Sequence, residues 1–507
     1  VNVARIASVG LVGIEGHLVE IEADLSQGLP RLVITGLPDT ALGQARDRLR
    51  SAVVNSAEEW PPGRITVNLS PAAVPKHGSG FDLAMAAAIL LAAEALPPDA
   101  LAGAVLIGEL ALDGRVRTVP GVLPAVVAAS QAGVKWAIVP AGNAAEARLA
   151  SSAIRVTGID SLAELIGLAR GTLDLDDEPA PVTGEQLDDG PDLADVVGQP
   201  EGRTAVEIAA AGGHHLAMIG PPGSGKTMLA ERMPGLLPAL SETESLEVTA
   251  VHSIAGVLPP GTGLIRRPPF QAPHHSATEP ALVGGGSGMP RPGLLSLAHH
   301  GVLFLDEATE FKSPVLNALR QPLERGQVRL SRAGGSMSYP CKVQLVLAAN
   351  PCPCASPKGD AACECTPRAR RAYVSRLSGP LLDRVDLRIN LFPVRPAALL
   401  GQTEELESSA VVRKRVRQAR DAAAERWAPY GWATNADVPG PALRRRFKLP
   451  HEIRRGLDVA FDCGNLSARG YDRVLRVSWT ICDLAGRTIP AAEDVDRAVE
   501  LRVGKAA

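Results

Sequence analysis

Aromatic side chains make up only 3% of this 507-residue sequence, so its cores must be built from Val, Leu, Ile and Ala. No apolar run approaches the ~20 residues that cross a bilayer, and no basic head followed by an apolar stretch and a cleavage site opens the chain. The expectation is a cytoplasmic protein with no membrane partner. The net charge of -3 argues neither for nor against nucleic acid. It hides one asymmetry: nine acidic residues between Thr172 and Asp195 are accompanied by no Lys or Arg. Seven cysteines is an odd number, and without an export signal disulfides are not expected, which leaves packing or metal binding.

A chain this long predicts roughly three domains. Residues 1–170 read as mixed α and β, with strand-like runs at 18–23, 31–36, 64–69, 104–112 and 136–139 and helical patterns at 39–54, 82–95 and 122–132. Residues 171–191 are acidic, Pro-containing and poor in large apolar residues, the composition of a flexible linker. Residues 192–394 read as a second α/β domain, and residues 395–507 as a helical third.

What is present most clearly is a phosphate loop, Gly220-Pro221-Pro222-Gly223-Ser224-Gly225-Lys226-Thr227, set between an apolar run and a helical pattern. Its glycines let successive N–H groups turn toward a phosphate chain. Lys226 is placed to reach the outer phosphates and the Thr227 hydroxyl to bind magnesium, with Met228 next in the opening helix. About eighty residues on, the apolar run 302–305 ends in Asp306 and Glu307. A buried strand delivering Asp306 beside the loop suits a magnesium ion, and Glu307 is then positioned to orient or deprotonate the attacking water. A third strand pattern ends in Asn350, a residue that also suits a plain strand-ending turn. Residues 325–341 form two strand-like halves around Gly334-Gly335, a hairpin signal with Arg332 near its tip. A second insertion, rich in Gly, Pro and His, covers 264–292.

Cys352 and Cys354, then Cys363 and Cys365, make two C-x-C pairs across a short polar loop. The spacing allows a zinc clasp, free thiols or a reversible redox pair. Residues 411–427 carry Arg413, Lys414, Arg415, Arg417, Arg420 and Arg426, a basic stripe that fits either a solvated face or a DNA contact.

These motifs resemble those of AAA+ ATPases, in particular the branch containing magnesium chelatases and minichromosome-maintenance helicases. That resemblance implies that the opening segment 192–199, with Val197, lies against adenine, and that Asn350 is sensor 1. It further implies that Arg384, in Leu377-Ser-Gly-Pro-Leu-Leu-Asp383-Arg384-Val-Asp386, is an arginine finger directed at a neighbour's ATP; its alternative is an ion pair with Asp383 or Asp386. Arg469, with Arg473 as second choice, matches the sensor 2 arginine of a lid helix that reaches the bound phosphates. The two insertions correspond to pore hairpins, where Arg332 would meet a DNA backbone unless it is only a solvated turn charge. In the first domain, Pro75-Lys-His-Gly-Ser-Gly-Phe-Asp82 and Gly114-Arg-Val-Arg-Thr-Val-Pro-Gly121 resemble the active-site stretches of Lon-type proteases, but the nucleophile position falls on Gly80, with Ser79 one place early, and no lysine follows Gly121. An inactive Lon-like domain is expected.

Taken together, the Lon-like front, AAA+ core and helical lid resemble the ComM/YifB family of magnesium-chelatase-like AAA+ ATPases. The family implies ATP and magnesium, a ring closed by six copies, and a DNA helicase promoting branch migration in natural transformation. The competing expectation is a chelatase-type motor that remodels a partner protein.

Overall fold

The computed structural model describes residues 3–36, 44–72, 74, 76, 78–175, 190–286, 290–332, 335–354, 356, 363–377, 379–394 and 406–503. The front unit is one seven-stranded sheet made of β1 (Val3–Val12), β2 (Glu15–Ser26), β3 (Arg31–Thr35), β4 (Arg64–Ser70), β5 (Ala104–Leu106), β6 (Trp136–Pro140) and β7 (Arg155–Ile159), in the order β3–β4–β2–β1–β5–β6–β7. Only β2 runs antiparallel to its neighbours. A largely parallel sheet must be covered on both faces, and two apolar clusters do so. One gathers around helix α1 (Asp82–Ala92) and the other around α2 (Val122–Gln131). Along α1 every residue but Leu91 is buried, which is how a helix apolar on all sides must sit.

Several sequence expectations need correction here. The run at 104–112 is two short strands, broken where Gly108 accepts the N–H of Leu83 through its carbonyl at 3.1 Å. Strands β1 and β7 were not anticipated. At the head of the expected linker, Thr172 N–H donates to Gly167 O at 2.9 Å and Leu175 packs on the front core. Residues 176–189 of that linker, and residues 39–43 of the helix expected at 39–54, lie outside the described residues.

The second unit is a five-stranded parallel sheet flanked by helices. Its elements are α3 (Pro200–Gly212), β8 (Leu216–Ile219), α4 (Lys226–Leu236), α5 (Glu242–Ala255), β9 (Phe270–Gln271), β10 (Val302–Leu305), the hairpin β11 (Gln327–Arg332) and β12 (Gly335–Pro340), β13 (Gln344–Ala349), α6 (Pro367–Val374) and β14 (Leu387–Asn390). The sheet order is β9–β10–β13–β8–β14. Strand β9 lies inside the stretch expected as an irregular insertion, because two residues are too few to show a period. Strands β10 and β13 are buried along their whole length, and each fully buried Leu or Val contributes about 1.5–3 kcal/mol.

The helices after residue 406 do not form a core of their own. Helix α7 (Ser409–Trp427) packs on α3 and α4, and α8 (Ala468–Leu484) on α3, within one apolar cluster shared with the parallel sheet. The scarce aromatics concentrate there, with Trp427 against Trp432, Phe447 and Trp479 at ring separations of 5.9, 4.8 and 5.5 Å. The basic stripe of α7 is largely used inward. Arg415 pairs with Glu207 and Glu407 at 2.7 and 2.6 Å, Arg420 donates to Ala210 O at 2.8 Å, and Arg426 pairs with Asp483. Lys414 and Arg417 are left exposed. Among the described residues no helix is long and apolar enough to cross a membrane.

Candidate functional site: two edges of one sheet

Parallel strands present their C-terminal ends at one edge, and ligands bind there. At that edge β8 runs into the loop 220–225 and α4 begins at Lys226. Gly225 caps α4 with φ 82°, a left-handed conformation that a side chain would strain. The helix therefore aims its free N–H groups into the loop, where an anion is favoured.

The charged groups of the edge converge. Lys226 Nζ donates to Gly220 O at 2.7 Å, to Pro221 O at 2.9 Å and to Asn350 Oδ1 at 3.3 Å. Burial lowers the Lys226 ammonium from its ordinary value, while Asp306 and Glu307 pull the other way. Thr227 Oγ1 donates to Asp306 Oδ2 at 2.8 Å. That hydroxyl and carboxylate, both hard oxygen donors, fit a magnesium ion and suit a softer metal poorly. Glu307 follows with φ 48°, held by its own N–H to Asp306 Oδ1 at 2.9 Å, and its Oε2 lies 3.1 Å from His275 Nδ1. Strands β8, β10 and β13 thus deliver the loop, the carboxylate pair and Asn350 to one place.

Two contributors were missed from sequence. Gln199 Nε2 donates to Ser224 O at 3.0 Å and Phe392 O at 2.7 Å, tying the phosphate loop to the end of β14. His275 comes from the Gly-Pro-His insertion, where nothing in the sequence marks it as a partner of Glu307. Beside the loop, a cavity of about 350 Å³ is lined by Leu193, Gly198, Gln199, Leu406 and Val412, among others. Val197 is half-buried next to it and is not in the lining; Met228 is 40% exposed on the first turn of α4.

The opposite edge holds the arginines. Arg384 lies two residues before Asp386, which precedes β14, and its guanidinium meets the Glu324 carboxylate rather than Asp383 or Asp386. Arg473 pairs with Asp386, and Arg469 Nη1 lies 3.6 Å from Asp383 Oδ2. Burial alone would raise the Asp386 carboxyl, but Arg473 and the charges around it hold it well below the usual carboxylate range. Arg384, Arg469, Arg473, Glu324 and Lys342 line a cleft of about 1080 Å³ at the N-terminal strand ends. A four-residue strand spans ~13 Å, so Arg469 and Arg473 lie across the sheet from Lys226. Helix α8 is anchored at that edge through Asp383 and Asp386, away from the phosphate loop of its own chain.

The remaining candidates lie elsewhere. Cys352, Cys354, Cys363 and Cys365 cluster after Asn350. Arg332 pairs with Gly335 at the tip of the hairpin, and its side chain lies outside the described residues. In the front unit, Ser79 Oγ donates to the Glu109 carboxylate and Lys76 Nζ to Pro71 O, contacts that do not join the two side chains; Pro75 and His77 of that stretch lie outside the described residues.

Comparison with known proteins agrees along the chain. The family described as magnesium chelatase, subunit ChlI, matches residues 192–399, its C-terminal part matches residues 406–502, and the description subunit ChlI of Mg-chelatase matches residues 21–143. An uncharacterised protein of Mycobacterium tuberculosis is 53% identical over 500 residues, covering 98% of each chain. The uncharacterised protein YifB of Escherichia coli is 41% identical over 97% of this chain and 95% of its own. The competence protein ComM of Haemophilus influenzae is 40% identical over 96% of this chain and 94% of its own.

Proposed function

The chain belongs to the ComM/YifB family of magnesium-chelatase-like proteins, and on that premise we propose that it is a cytoplasmic, ATP-hydrolysing AAA+ ring motor acting on DNA. One observation carries the reading: the phosphate-facing groups and the arginines occupy opposite edges of the same sheet. A single copy therefore has half of two sites. Stacked in a ring, the Lys226 edge of one copy would face the Arg384 edge of the next.

In this reading Lys226 and the N–H groups of the loop bind the phosphates. Thr227 and Asp306 would hold magnesium, which supplies charge neutralisation at the phosphates. Glu307 takes the proton of the attacking water, and Asn350 orients that water. Arg384 of the adjacent copy leaves Glu324 for the phosphate whose charge grows in the transition state. Arg469 and Arg473 act across the same seam. Six copies close the ring, as the family resemblance implies.

Work on DNA, as a helicase or translocase promoting branch migration in transformation or recombination, is supported by the competence protein among the relatives and by the hairpin β11–β12, whose tip offers Arg332. The front unit serves as an inactive Lon-like scaffold in this scheme. A second reading, remodelling of a partner protein, draws on the chelatase family match and on the packing of Leu11 and Ile14 against Met337 and Tyr339, which turns one face of the hairpin toward the front unit.

The deciding experiment measures ATP turnover, particle mass and strand exchange on branched DNA with the purified full chain. Assembly with nucleotide, turnover stimulated by DNA and lost with rising salt, and ATP-dependent branch migration are expected. A monomer that hydrolyses ATP at full rate would overturn the motor.

A further inference from the structure

Four sulfurs converge just beyond Asn350. Cys352 Sγ lies 3.1 Å from Cys354 Sγ and 3.4 Å from Cys363 Sγ, and Cys354 Sγ lies 3.5 Å from Cys363 Sγ. With Cys365 included, all four lie within 4.8 Å of one another. A disulfide brings two sulfurs to about 2.05 Å. Four thiolates bound at about 2.3 Å to one tetrahedral ion stand about 3.8 Å apart, so the observed separations suit a shared ion. We propose that Cys352, Cys354, Cys363 and Cys365 bind one zinc ion as a closed four-thiolate site that ties the end of β13 to the start of α6.

The surroundings agree with that assignment. Sulfur-only donors select zinc over the hard cations that suit Thr227 and Asp306. Four thiols would release four protons on binding, leaving a net charge of two minus on the site. Because the protein supplies all four ligands, no position is left for substrate, and the role is structural.

A second cluster of metal-binding residues shows the contrast. Glu247, His299 and His300 are also mutually close. There, however, His299 Nδ1 accepts the backbone N–H of Lys342 at 3.0 Å, which leaves its proton on Nε2, 3.2 Å from Glu247 Oε2. A protonated nitrogen donating to a carboxylate cannot ligate an ion, so that group is a hydrogen-bonded triad.

The position of the thiolate site gives it a mechanical consequence, which rests on the function proposed above. Cys352 is two residues beyond Asn350. Cys365 immediately precedes Thr366, whose hydroxyl caps α6 by accepting the N–H of Ala369 at 3.2 Å. From α6 the chain continues through Leu377 and Leu381 to Arg384. A zinc ion would thus hold in fixed relation the residue that faces one nucleotide and the segment that carries an arginine to the next.

The test begins with the metal, independently of ATP. Full-length protein purified without chelator should carry about one zinc per chain, released as four thiols are titrated with a mercurial, and cobalt substitution should give the visible spectrum of a tetrahedral thiolate site. Protein that holds no zinc as purified, and takes up none after reduction, would overturn the proposal whatever its ATP turnover. Cys363→Ser with Cys365→Ser should lose the zinc and lower turnover about tenfold, with nucleotide affinity retained. Zinc loss with unchanged turnover would overturn the mechanical link. Should that variant not fold, the wild-type titration and cobalt spectrum still decide the site.

Discussion

His275 Nδ1 lies 3.1 Å from Glu307 Oε2, so a residue of the Gly-Pro-His insertion holds the carboxylate that would otherwise be free to accept a proton from water. Glu307 is also one of few non-glycine residues with positive φ among the described residues, at 48°, a conformation that persists only where its surroundings impose it. Both side chains are partly exposed, so this hydrogen bond to a carboxylate is worth about 1 kcal/mol, or about fivefold in a rate. In His275→Ala, ATP turnover without DNA should rise about fivefold, and the additional stimulation by DNA should shrink in proportion. A fall in basal turnover would mean that His275 orients the base instead of restraining it.

The two-edge arrangement makes a prediction that a self-sufficient site would not. Lys226→Ala should abolish turnover by weakening nucleotide binding, and Arg384→Ala should abolish it with binding retained. Mixed in equal amounts, the two inactive proteins should regain activity, because an Arg384→Ala copy offers an intact Lys226 edge to a Lys226→Ala neighbour's intact Arg384. Random assembly gives such a seam at about one interface in four, so about a quarter of the wild-type rate is expected. Turnover that stays at background after subunit exchange would show that both edges serve the same copy.

How much of this was legible in the sequence depends on how local the signal is. The phosphate loop, Asp306 with Glu307, and the strand ending at Asn350 are contiguous motifs, and their convergence follows once β8, β10 and β13 lie side by side. Gln199 was hidden because its partners, Ser224 and Phe392, are 25 and 193 residues away. The edge occupied by Arg469 was also hidden, since it depends on Asp383 and Asp386 anchoring α8. Strand β9 has two residues, too few to show alternation. The basic stripe of α7 misleads for a related reason: composition does not reveal that Arg415 and Arg420 meet Glu207 and the Ala210 carbonyl.

Stability should depend on pH through the N-terminal edge of β8. Burial pushes the imidazoles of His214 and His215 down to about 4, against the pull of Asp386. His215 Nδ1 accepts the N–H of Leu345 at 3.0 Å, which keeps that ring neutral, and His214 Nε2 contacts Thr480 Oγ1 at 2.7 Å in a site where burial disfavours the charged ring. Between pH 6.5 and 4 the unfolded chain takes up protons that the folded chain refuses. Their contribution is therefore complete above pH 6.5 and declines as pH falls, by about 1.4 kcal/mol per pH unit for each ring. Asp82, pushed up to about 6 by burial in the front unit, acts in the opposite direction. The readout is thus the difference in slope: denaturant unfolding of His214→Gln from pH 7 to 5 should be less pH-dependent than wild type by about 1 kcal/mol per unit on average, nearly all of it below pH 6.5. Equal slopes would show that His214 is protonated in the fold.

The front unit is joined to the hairpin at Gly13. This glycine turns between β1 and β2 with φ 65°, and a Cβ there would stand 2.3 Å from Ser338 O. On either side, Leu11, Val12 and Ile14 pack with Ile254, Met337 and Tyr339. Gly13→Val meets both a strained φ and a backbone oxygen that cannot swing aside, so the turn must lift off the hairpin, at a cost of about 2 kcal/mol. Hydrogen exchange should then quicken along β11 and β12 by about thirtyfold, the equivalent of that cost, while α1 keeps its protection and nucleotide binding at Lys226 is unchanged. The same variant bears on the motor. If hairpin movement is passed to the front unit through this turn, DNA-stimulated turnover should fall while basal turnover persists; equal loss of both would mean that the turn supports the sheet itself.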